Sequence, residues 1–182
     1  MKQVSNASYK TTIDIGAGKA KQMLWYFSNI FFFKNTLNVF SGLKVRLLRL
    51  FGAEVGNGVV IKPGVNIKYP WKLSIDDYSW IGENVWIDNL SEVNIGKNVT
   101  VSQGALLLTG THDHSKASFD FISFPIILED GAWIGAKAMV TGGVTCHTHS
   151  ILGVNSLAEN NLKPYTVYKG NPAVAVMIRN IN

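Results

Sequence analysis

The side chains best suited to chemistry are four histidines in two His-x-His pairs. His112 and His114 lie in and just after Thr109-Gly110-Thr111-His112-Asp113, and His147 and His149 follow Cys146 directly. A neutral imidazole, with an ordinary pKa of about 6.5, can take a proton from a substrate near neutral pH. His112 is the first candidate for that task, because a glycine stands nearby and a break in the chain's repeat surrounds it. His114 would face the same side of an extended strand. Two such pairs also raise a metal site, but they would sit on coils far apart in the repeat, so no metal is expected. Cys146 is the lone cysteine, which excludes an intrachain disulfide and a cysteine-based zinc site. It falls on an inward position of the repeat and reads as a small buried hydrophobe.

These residues need a scaffold, and a six-residue period supplies one from Val55 onward. The anchors are Val55, Ile61, Ile67; Ile75, Ile81, Ile87; Ile95, Val101, Leu107; and, after a break, Leu128, Ile134, Val140, Cys146 and Leu152. Of these 14 positions 13 are Ile, Leu or Val; those types fill 48 of 182 positions overall, so chance would give about four. The fourth residue after each anchor is small or Val, Trp71 excepted. One large and one small inward residue per six make a flat side with its corner, and three sides close a triangular coil of about 18 residues. The period slips by two from Ile67 to Ile75 and from Ile87 to Ile95, and by three beyond a full coil from Leu107 to Leu128. Part of that last stretch, about 109–126, must project as a loop, and loops on rigid scaffolds carry chemistry. The expected fold is all-β: an N-terminal helical cap over 1–52, a parallel β-helix over 53–160 and a C-terminal tail over 161–182.

Composition agrees. Apolar residues make up 47% and charged residues 16%, which excludes a disordered chain. The net charge, 17 − 12 = +5, is spread without a run of five. That argues against nucleic acid as a partner and suits an anionic small ligand or a membrane surface. The polar start, with no long apolar run before Ala20, does not read as a signal peptide. From Met23 the chain turns oily, yet Lys21 and Lys34 bracket only 12 uncharged residues, short of the roughly 20 that a bilayer span needs. Two short helices are predicted, roughly 19–33 and 36–51. They serve as an end cap for a solenoid, and residues 23–51 are also candidates for peripheral membrane contact.

The ladder resembles the left-handed parallel β-helix of the hexapeptide-repeat acyltransferases. The resemblance is carried by Val101-Ser102-Gln103, Thr109-Gly110-Thr111-His112-Asp113, Phe124-Pro125-Ile126, Trp133-Ile134-Gly135 and Gly170-Asn171-Pro172-Ala173. Within them the chain is similar to the maltose, galactoside and nodulation O-acetyltransferase group, and to acetyltransferases of the colanic-acid and exopolysaccharide type. The oily N-terminal segment leading to Arg49-Leu50-Phe51-Gly52-Ala53 resembles the latter. The resemblance implies transfer of an acetyl group from acetyl-CoA to a sugar or glycan hydroxyl in surface-glycan biosynthesis. It implies a cytoplasmic homotrimer, with the oily segment a candidate for the inner membrane face. His112 is then the general base. Asp88 matches a position that holds the acceptor sugar, with Asn89 and His114 beside it as further candidates. Trp133, Ala136 and Val154 are candidates for the pantetheine arm, and Lys169 and Arg179 for the CoA phosphates. Two other functions remain open on this scaffold: a metal-dependent hydratase of the γ-carbonic-anhydrase kind, whose His-x4-His spacing is absent, and a non-catalytic assembly module.

Overall fold

A computed structural model describes residues 3–9, 11 and 13–182. Three parallel sheets form the sides of a solenoid of about six turns. Sheet I stacks Glu54–Val55, Leu73–Ile75, Val93–Ile95, Ile126–Leu128 and Thr145–Cys146. Sheet II stacks Val60–Ile61, Trp80–Ile81, Thr100–Val101, Trp133–Ile134, Ile151–Leu152 and Thr166–Gly170. Sheet III stacks Asn66–Ile67, Trp86–Asp88, Leu106–Leu108, Met139–Thr141 and Leu157–Ala158. The chain visits I, II and III in turn, so each coil has three corners.

The six-residue anchors point inward. All of them are buried except Val55, which lies half-buried in the first coil and packs against the core. In sheet II, Ile81, Val101, Ile134 and Leu152 register one above another. Such a ladder buries one aliphatic side chain per strand, each contributing about 1.5–3 kcal/mol relative to exposure. The small residues four positions on are buried as well, apart from Trp71, Ser91 and Thr111. All three exceptions sit at the III-to-I corner, where the period slips. One corner therefore escapes the repeat, and the loop that carries His112 grows from it.

The open end of the first coil is closed by α1 (Lys19–Ser28), a π-helical turn (Asn29–Phe33) and α2 (Ser41–Leu50). Trp25, Asn29 and Phe33 are buried on one face, and the wider π turn keeps Phe33 on that face. An exposed strand edge leaves backbone groups unpaired. Here side chains pair them. Trp25 Nε1 donates to Ile67 O (2.9 Å), and Ser41 Oγ accepts from Ile61 N (2.8 Å). Lys44 Nζ donates to Lys62 O (2.9 Å), and Arg49 donates to Val55 O and Gly56 O (2.9 and 2.8 Å). Burial of Lys44, followed by the charge of Lys62, lowers its pKa. The second helix begins at Ser41 rather than at 36. Asn35 Oδ1 takes Leu37 N–H and Asn38 Oδ1 takes Phe40 N–H, and these local turns displace the first helical turn. The opposite face of the cap leaves Leu24, Phe27, Phe31, Leu37 and Phe40 exposed. The tail is a hairpin: Ala173–Ile178 runs antiparallel to Thr166–Gly170 and extends sheet II.

Candidate active site

The III-to-I corner of the third coil holds the histidine loop. Thr109 is buried and ties the loop to the coil below. Its Oγ1 donates to Asp88 O (2.8 Å) and accepts from Leu90 N and Ser91 N (2.8 and 3.2 Å). Phe124 N donates to Thr109 O (3.0 Å) and closes the loop. Gly110 is required by close approach, since a Cβ there would lie 2.6 Å from Phe121 Cζ and 2.7 Å from Leu90 Cδ1. Strand Gly110–His112 then pairs antiparallel with Phe121–Ser123.

His112 ends that strand, half-buried. Its Nδ1 lies 2.9 Å from Phe119 O, a carbonyl that can only accept, so Nδ1 carries the proton in the neutral ring. Nε2 keeps its lone pair and has no hydrogen-bond partner among the described residues. The ring stacks on Phe119 at 4.3 Å and 6°, and Phe121 tilts against it at 4.9 Å. Phe119 has φ +48°, a left-handed conformation that is costly for a bulky residue and that clusters at functional sites. Polar contacts hold the tip of the loop. Ser115 Oγ, then its N–H, and Lys116 keep the Asp113 carboxyl below the usual range, while Lys116 also reaches Asp120 at 3.3 Å. The N-terminal segment packs alongside: Ser5 N donates to Ala117 O, Thr11 bridges Phe121, and the Tyr9 ring lies 6.1 Å from His112. Phe119 and Tyr9 were not among the predicted site residues. A bulky side chain at positive φ leaves no pattern in the sequence, and a polar start carries no hint of where it docks.

Asp88 lies at the same corner, one coil below, buried and 2.8 Å from Lys68 Nζ. Two expectations need correction here. Asn89 is fully buried, and its amide is consumed by Tyr69 N, Tyr69 O and Lys72 O, so it welds two coils together instead of meeting an acceptor. His114 is exposed in a turn, because the strand ends at His112, and the same-side argument does not reach it.

The remaining candidates occupy other corners. Ala136 and Val154 line up on successive coils at the II-to-III corner, and Lys169, in the last strand of sheet II, stands beside Gly153 just before that column. The coils approach closely at Gly135, where a Cβ would meet Gly153 C at 2.7 Å. Trp133 faces outward from sheet II just before that corner, its Nε1 donating to Ser102 Oγ (2.9 Å). Arg179 sits at the I-to-II corner and donates from Nη1 to Gly131 O and His149 O (2.9 and 3.1 Å), which pins the tail. There His147 Nδ1 meets Glu129 (3.0 Å) and His149 stacks on Tyr165 (4.8 Å). The two histidine pairs thus lie at different corners and do not converge. Burial pushes the Cys146 thiol up to about 12. The native protein should therefore leave a disulfide reagent unreacted in mildly alkaline buffer and titrate one thiol after denaturation; rapid reaction of the folded protein would contradict this ladder position.

No protein-family model matches the chain. It is 37% identical over 164 residues, 90% of either chain, to the putative colanic acid biosynthesis acetyltransferase WcaF of Escherichia coli. In fold it matches a hexapeptide-repeat acetyltransferase from Vibrio cholerae solved with acetyl coenzyme A, with TM-score 0.80 and 21% identity, covering 92% of this chain and 93% of that one. It also matches galactoside acetyltransferase in complex with coenzyme A, with TM-score 0.76 and 23% identity over 88% and 82% of the two chains. The coil ladder, the histidine loop and the extent of the likeness to WcaF lead to one conclusion: the chain belongs to the hexapeptide-repeat acetyltransferases.

Proposed function

We propose that the chain O-acetylates a sugar hydroxyl in surface-glycan biosynthesis, with His112 as general base. The observation that carries this reading is the hydrogen bond from His112 Nδ1–H to Phe119 O, which leaves Nε2 as a fixed acceptor for a hydroxyl proton. The hydroxyl oxygen attacks the thioester carbonyl as its proton passes to Nε2. The tetrahedral intermediate collapses, the C–S bond breaks, and the CoA thiolate leaves and is reprotonated from the imidazolium. The oxyanion needs one positioned donor, such as a backbone N–H. Donor and acceptor bind together, so no acyl-enzyme is required.

The base and the Ala136–Val154 column occupy different corners of one protomer. A complete site then needs the loop of one copy set against the column of the next, which a homotrimer provides three times. The acetyl-acceptor role of a glycan is supported by WcaF, whose name assigns it to colanic acid biosynthesis. A thiol-release assay with acetyl-CoA and a panel of sugars, nucleotide sugars and lipid-linked glycans tests the reaction; release stimulated by none of them would remove the sugar reading. The native mass should be three times 20.0 kDa, and a monomeric active enzyme would contradict the shared site.

Among the described residues no helix is long and apolar enough to cross a membrane. The outer cap face, with Leu24, Phe27, Phe31 and Phe40 exposed, belongs to a cap that also exposes Lys34 and Arg46, which suits the surface of an anionic bilayer. The protein should co-sediment with phosphatidylglycerol vesicles at low salt, and Phe27→Ser with Phe31→Ser should release it. Equal sedimentation of that variant would exclude this face.

A further inference from the structure

The first residues of the chain lie across the histidine loop without joining the core. Among the described residues of 3–18 none is buried. The segment is nevertheless tied down along its length. Ser5 N donates to Ala117 O (2.9 Å) on the loop, Thr11 bridges in parallel to Phe121, and Trp71 Nε1 donates to Ile15 O (2.6 Å). A 3₁₀ turn over Asn6–Ser8, with Ser8 Oγ donating to Ser5 O (2.8 Å), shapes the stretch between the first two ties and leads into Tyr9. Ordering a backbone that buries no side chain costs conformational entropy with no gain from core packing. Stability of the solenoid therefore does not account for this arm, and its fixed place on the loop of His112 calls for another role.

Among the described residues, the rings of Phe119, Phe121 and Tyr9 stand around the imidazole. Phe119 stacks on it at 4.3 Å, Phe121 tilts against it at 4.9 Å, and Tyr9 lies 6.1 Å away at 52°. Phe119 and Phe121 belong to the loop and are half-buried. Tyr9 is 43% exposed, so of these rings it alone keeps much of its surface open to a bound molecule. A hydroxyl within hydrogen-bond reach of Nε2 brings its sugar ring close to the imidazole. A ring only 6.1 Å from that imidazole is near enough to meet the same sugar. Tyrosine suits this contact, since it offers an apolar face to the C–H side of a pyranose and a phenol to its hydroxyl rim.

Resting on the sugar-acetylation reading, we propose that Tyr9 binds the acceptor sugar, and that the arm which carries it forms the wall of the acceptor site beside His112. The Tyr9 ring stacks on the sugar and holds it while the base takes the proton. The ties to Ala117 and Phe121 set the distance between platform and base, because both are held on one loop.

Thiol release by the intact oligomer at saturating acetyl-CoA, with acceptor concentration varied, tests the residue. The probes are glucose, UDP-glucose and the lipid-linked glycans of the panel above. Tyr9→Ala should raise the acceptor KM about three- to tenfold, the size of one lost aromatic contact, with a smaller fall in kcat. Tyr9→Phe keeps the ring and should stay within about twofold of the native acceptor KM. The KM for acetyl-CoA should not move in either variant. An unchanged acceptor KM in Tyr9→Ala would overturn the proposal. So would a loss confined to kcat, which is what a ring that only props the imidazole would give. Tyr9→Phe as impaired as Tyr9→Ala would overturn the stacked platform as well. Native enzyme that transfers to none of the probes removes the sugar reading and this residue's role with it; native transfer with an acceptor KM indifferent to Tyr9 sinks only the residue.

Discussion

His112→Ala will abolish acetyl transfer while leaving acetyl-CoA bound. General-base catalysis is worth roughly 10²–10⁴-fold, and the variant should lose about that much in kcat. The ring is half-buried at the end of a short strand and touches Phe119 and Phe121, so truncation removes some packing but no core anchor. The Ala136–Val154 column proposed for the donor stands at another corner and should be untouched. The measurement is turnover by thiol release beside acetyl-CoA affinity by calorimetry. Unchanged turnover removes the base; lost affinity would mean that the loop shapes the donor groove instead. Phe119→Gly refines the result. Glycine accepts φ +48° without strain and keeps the carbonyl that holds Nδ1, but loses the stacked ring. An intermediate loss, on the order of tenfold, is expected from a looser imidazole. A loss as deep as that of His112→Ala would mean that the aromatic stack, more than the carbonyl, aims the base.

Trp25→Ala will give the largest loss of stability among single substitutions in the cap, about 3–5 kcal/mol. The indole is 2% exposed, lies edge-on to Phe33 and Phe51 at 5.1 and 5.2 Å, and donates to the Ile67 carbonyl at the open edge of sheet III. The substitution removes the packing and the donor together, and it opens the first coil to water. Trp80→Ala is the comparison: that side chain is 44% exposed on the outer face of sheet II and should cost far less. Denaturant midpoints at matched protein concentration decide between them, because assembly links stability to concentration. Equal midpoints for the two variants would show that the cap is not needed to close the solenoid.

Much of this molecule is legible before folding. Ile81, Val101, Ile134 and Leu152 are spaced so that each falls on the same side of successive coils, and inward burial follows from that period alone. Even the special corner announces itself, because every slip of the period occurs there: 67 to 75, 87 to 95 and 107 to 128. Motif matching picked out His112 and Asp88, which do share that corner. It misjudged Asn89, because polarity in a sequence does not reveal whether an amide faces a ligand or two backbone strands. The same-side placement of His114 does not hold, because a two-residue alternation lasts only while the strand continues.

A local repeat can encode coil, core and corner because each depends on neighbours a few residues or one turn away. Other features join distant parts of the chain. The pairing of the N-terminal segment with the histidine loop and the cavity between the cap helix and sheet III are of this kind. Their partners are separated by tens of residues with no shared period, so their geometry exists only once the solenoid has brought them together.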